Sequence, residues 1–132
     1  MNTFEEYLSC GKALSFDKMK MIHEAMIEET KNDPDAVELY EDLRSASIKY
    51  AAIRAEWSFM TREQKLEQDR FRTALHNTII MQMNVLARHL RQTGKSAIWR
   101  DTLGDEGIDR IFRKVIGDFA CYIAFVNSIC TR

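Results

Sequence analysis

The chain has 132 residues, 45% hydrophobic and 30% charged, with one proline and five glycines, a balance that excludes both disorder and a turn-dense all-β design. The length fits one domain over residues 1–132, large enough to bury roughly two-thirds of its unfolded surface. A formal net charge of −1 conceals an asymmetry, because residues 1–69 carry 9 basic and 15 acidic groups whereas residues 70–132 carry 10 and 5.

The start reads as a short N-terminal helix, with Thr3 and Glu6 in capping-box relation and Gly11 closing it. From Ser15 or Asp17 to about Lys31 a second helix sets Phe16, Met19, Ile22, Met26 and Ile27 on one side. Asp33 before Pro34 is a helix-start signal, since an N-cap acceptor precedes a proline whose missing N–H costs nothing in the first turn. The helix that follows places Ala36, Leu39, Leu43, Ala46, Tyr50, Ile53, Trp57 and Met60 on a seam of alternating three- and four-residue steps. Such a seam calls for a neighbour along its whole length.

Thr61 and Gln64 open the next helix, and no breaker appears until Gly94. That length is roughly 50 Å, so the helix is expected to project past its neighbours or bend. Phe71, Leu75, Ile79, Met83, Leu86 and Leu90 mark its expected buried side. A short helix around Trp99 ends at the turn-rich Gly104-Asp105-Glu106-Gly107. The last helix, Ile108 to about Cys130, carries a seam through Ile108, Phe112, Val115, Phe119, Tyr122, Val126 and Ile129, with Ile111, Ile116, Ala120, Ile123 and Ala124 off it. A helix apolar nearly all round belongs at the centre of a bundle or in a subunit interface. The expectation is an all-α, up-and-down bundle of four long helices, plus the short N-terminal helix and the short helix near Trp99.

Several chemistries find no support. There is no GxSxG elbow, no phosphate-binding glycine loop and no CxxC among Cys10, Cys121 and Cys130. The Glu-x-x-His pattern of a di-iron bundle fails at His23, His76 and His89. Glu38, Glu41 and Asp42, with Glu67 and Asp69, faintly resemble the paired acids of helical Mg²⁺-dependent nucleotide pyrophosphohydrolases, but the i, i+2 spacing of the second pair splits it across two faces. No metal and no cofactor are expected. The polar, acidic start MNTFEEYLS and an odd number of cysteines without CxxC spacing point to a reducing, cytoplasmic setting. The longest apolar run, Phe119 to Val126, is far short of the ~20 residues a membrane span needs.

Between Asp69 and Asp101 no acidic residue occurs, while Arg70, Arg72, Arg88, Arg91, Lys95 and Arg100 fall inside that window. Either the segment faces anions or much of it is buried. Asn77, Asn84 and Arg88 share one helical face, with His76 on the adjacent stripe. If that face meets the last helix, these four approach Asp118 or Asn127 there. Two readings follow: a satisfied network that fixes helix register, or a polar pocket in which Arg88 holds a carboxylate or phosphate and His76 moves a proton. A third reading gives Arg91, Lys95 and Arg100 to nucleic-acid phosphates with Trp99 stacking, although basic residues in a last helical turn are expected for the dipole alone.

The stretch Arg113-Lys114-Val-Ile-Gly-Asp118-Phe-Ala-Cys121-Tyr-Ile-Ala-Phe, with His76-Asn77 and Trp99-Arg100 upstream, resembles small helical proteins of Gram-positive bacteria to which no motif-level activity is attached. The resemblance covers residues 70 to 132 and implies a bacterial cytoplasmic helical protein without transferring any catalytic residue. The reading favoured by the sequence is a non-enzymatic helical interaction protein or accessory subunit, a homodimer or the partner of another protein. Small-anion binding is the alternative at His76, Asn77, Asn84, Arg88 and Asp118, ahead of nucleic-acid binding at Arg91, Lys95, Trp99 and Arg100.

Overall fold

The computed structural model describes residues 14–103 and 110–130, and within the last helix the side chains of residues 115–127. All regular structure among the described residues is helical: α1 (Phe16–Thr30), α2 (Pro34–Glu56), α3 (Arg62–Gln92), the short α4 (Ile98–Thr102) and α5 (Arg110–Cys130). This is the all-α bundle that the periodicity predicts, with four long helices and a short one at Trp99. The helix expected near Thr3 and the turn expected from Gly104 to Gly107 lie outside the described residues.

The boundaries follow from local chemistry. Ser15 Oγ accepts from the Lys18 amide to start α1, and Asp33 Oδ1 accepts from Asp35 and Ala36 to start α2, with Pro34 in its first turn. Thr61 and Gln64 exchange side-chain and backbone hydrogen bonds in a full capping box for α3. Gly94, at φ +91°, takes the left-handed conformation that ends that helix.

Helix α2 packs most extensively on α3 and next on α5, while α4 bridges α1 and α3. One seam was expected on α2, and two stripes are used. Ala36, Leu43, Ala46 and Tyr50 are buried from the expected seam, whereas Leu39, Ile53, Trp57 and Met60 are only half-buried. Tyr40 and Ser47 are buried off it. The second stripe, Tyr40, Ser47 and Arg54, repeats every seven residues and meets α5.

Every residue of α5 from Val115 to Ile123 is buried within a single chain, so this stretch of the helix lies at the bundle centre. Phe119, Ile116 and Ile123 are fully enclosed, each side chain stabilising the fold by about 1.5–3 kcal/mol. The opposite extreme is the tip of the α2–α3 hairpin, where no residue from 51 to 75 is fully buried. Phe59, Leu66 and Phe71 are exposed there. The projection expected of the long helix is therefore present, and Phe71, expected in the core, is not part of it.

Candidate functional site

The polar centre of the bundle is built on Asp118, fully buried on α5. Its carboxylate accepts from Arg54 Nη2 of α2 in an ion pair. Burial opposes the charge on Arg54, but Cys121 and Asp118 more than offset this and push its pKa above the ordinary guanidinium value. Gly117 permits the close approach, because a Cβ there would stand 2.8 Å from Tyr50 Oη and 3.1 Å from Arg54 Nη1. Burial also raises the Tyr50 pKa. The Tyr50 ring packs edge-on against His76 at 5.6 Å, which carries the cluster across to α3.

The expected convergence on Asp118 is thus redistributed. His76 reaches the cluster through Tyr50, but Asn84 and Arg88 belong to the far end of α3 and Asn77 is exposed. Arg54 replaces Arg88 as the partner of Asp118. Sequence reasoning passed over Arg54 because it lies outside the apolar seam, although its seven-residue spacing from Ser47 and Tyr40 is a usable signal.

A second buried group joins α1, α2 and α5. His23 Nε2 lies 2.8 Å from Tyr40 Oη, which also accepts from Asn127 Nδ2 at 3.3 Å. The rings of Phe119 and Tyr122 flank His23 at 6.4 and 5.7 Å. Burial lowers the His23 pKa, against a smaller opposing effect of Glu24, so this imidazole favours its neutral form. Asn127 also donates to the Ile123 carbonyl at 2.7 Å.

At the C-terminal end of α3, Glu29 organises the segment leading into α4. Its carboxylate accepts from Ser96 Oγ (3.2 Å), the Ala97 amide (3.3 Å) and Trp99 Nε1 (2.9 Å). These bonds hold Ala97 at φ +49°, a left-handed conformation that costs a non-glycine residue about 1–2 kcal/mol. Arg91 clasps the same segment, donating to the carbonyls of Ser96 and Ala97 and to Asp101 at 3.0–3.2 Å. Arg100 is nearly buried and donates from Nε to Asn84 Oδ1 at 2.7 Å.

The result is an open groove of about 520 Å³ lined by Asn84, Ala87, Arg88, Arg91, Gln92 and Arg100. Two residues expected in one site (Asn84, Arg88) and two expected in another (Arg91, Arg100) meet here, without His76, Asn77 or Asp118. Lys95 is exposed and does not line the groove. Trp99 is 3% exposed and its N–H is spent on Glu29, so its ring presents no face for a base to stack on.

One arrangement has ligand atoms at metal-like proximity: Asp33, Asp35 and His89 each bring one within 4.8 Å of the others. Helix capping already accounts for it. Asp33 Oδ2 accepts from His89 Nε2 at 2.8 Å while Oδ1 caps α2, and the hydrogen bond from His89, followed by that from Ala36, lowers the Asp33 pKa. Fifty-six residues separate Asp33 from His89, and no spacing rule connects them.

The remaining feature is the outer face of α3. Glu67, Phe71, Ala74, Thr78, Met81, Val85, Arg88 and Gln92 alternate steps of four and three. All but the half-buried Thr78 are exposed, with Met81 at 55% and Phe71 at 54%.

No protein-family profile, curated protein or solved structure matches the chain. No helix among the described residues is long and apolar enough to cross a membrane.

Proposed function

We propose that this protein acts by helix-face association, as a homodimer whose two copies pair through the outer faces of α3. The observation that carries this reading is an unpartnered seam that is complementary to itself. Placed antiparallel about Thr78, Phe71 of one copy meets Val85 of the other and Ala74 meets Met81, the exchange that two-fold symmetry requires. The same register sets Glu67 opposite Arg88 at both ends of the seam. From Glu67 to Arg88 the helix runs about 32 Å, and the apolar residues form its middle. A reducing, cytoplasmic setting suits the buried Cys121 thiol.

Light scattering as a function of concentration tests the proposal. The 15.4 kDa chain should run at twice that mass, and Met81→Glu should return it to a monomer without unfolding it. Arg88→Glu places two carboxylates face to face and should weaken association. Adding Glu67→Arg to that variant should restore it. A monomer at every concentration, or an Arg88→Glu defect that Glu67→Arg leaves untouched, would overturn the reading.

A further inference from the structure

We infer that the groove between the end of α3 and α4 binds a phosphate group, either inorganic phosphate or the phosphate of a small ester. Three guanidinium groups line it, and among the described residues no carboxylate does. Asp101, bonded to Arg91, is outside the lining. The arginines have different duties. Arg91 spends Nε and Nη2 on Ser96, Ala97 and Asp101, which fixes its plane and leaves Nη1 as the donor for a ligand. Arg100, nearly buried, is oriented by Asn84. Arg88 is exposed and makes no hydrogen bond or ion pair with any described residue, so its whole fork is available for closing over a bound group.

A fixed arginine beside a free one, with the side-chain amides of Asn84 and Gln92 adjoining, suits an anion of high charge and several acceptor oxygens. A phosphate dianion has three terminal oxygens, whereas a carboxylate has two and a single charge. The negative dipole end of α3 opposes any anion at this place, so the guanidinium groups must outweigh it. The volume falls within the range of small-molecule sites and exceeds what one bare phosphate fills. An organic body could lie along Ala87. The buried Trp99 offers no stacking surface, which favours a compact ester over a strand of nucleic acid.

The site belongs to a single chain and is complete without the pairing proposed above; because that pairing sets Arg88 opposite Glu67 of the partner subunit, ligand and partner compete for this one side chain. Inorganic phosphate, phenyl phosphate, acetate and a single-stranded oligonucleotide should each be titrated into the protein at constant ionic strength, with chloride as the reference, followed by ³¹P line broadening for the phosphates and by calorimetry. Both phosphates should bind at least tenfold more tightly than acetate. Arg88→Gln should weaken them at least tenfold with an unchanged circular dichroism spectrum and melting midpoint, and the Met81→Glu chain should bind them no less tightly than wild type. The inference is overturned if phosphate behaves as chloride does, if Arg88→Gln titrates as wild type, or if the oligonucleotide binds while neither phosphate does.

Discussion

Helix α3 presents Leu75, Ile79, Met83, Leu86 and Leu90 to the bundle and Phe71, Ala74, Met81 and Val85 to solvent, with the half-buried Thr78 between them. Both sets are spaced for a helical seam. What separates them is the neighbour: α2 and α5 cover the first, and no described residue covers the second. The comparison teaches that periodicity identifies a stripe able to pack without saying whether anything packs on it. It also explains Phe71. Successive steps of four drift by about 40° each, so Phe71, three steps before Met83, stands roughly 120° round the helix from it.

The comparison breaks most sharply at the polar group behind the inner face. Asp118→Ala leaves the half-buried Arg54 without this carboxylate and empties a fully buried position, and should cost about 3–5 kcal/mol in chemical denaturation. Leu86→Ala, on the inner face itself, should cost about 2–5 kcal/mol through lost burial and a cavity. Neither should shift association of the molecules that remain folded.

Acid provides a third contrast. The His23 pKa is lowered in the folded state, so the unfolded chain binds its proton more readily. Stability from this group is present above the unfolded value of about 6.5 and is lost as pH falls through the folded value. Thermal midpoints should therefore decline on acidification below about pH 6.5, and the decline should be shallower in His23→Gln. Asp33, whose lowered pKa withdraws its contribution only at more acid pH, should act in a separate, lower window. The smallest effect on stability belongs to the outer face. Met81→Ala should change unfolding by no more than about 0.5 kcal/mol while loosening the pair measurably in sedimentation.

Much of the fold was legible because its signals are local. Ser15, the Asp33-Pro34 pair, the Thr61 and Gln64 capping box and Gly94 each act within a few residues of the boundary they set. The apolar repeat then named the inward side of most helices. It failed for Phe71 and passed over Tyr40 and Ser47, because α2 packs against two neighbours and each selects its own stripe.

The sequence by itself determined that this chain is helical, where its helices start, and that the acid-free window from Arg70 to Arg100 holds both burial and surplus positive charge. Tertiary structure decided how those charges are shared. Arg54 reached Asp118 across 64 residues of chain, Arg91 was turned back to hold the approach to α4, and Arg88 was left outside. Those assignments depend on which helices become neighbours. Ion pairs and grooves between distant segments are set by packing, and one-dimensional spacing carries no information about the distance between helices.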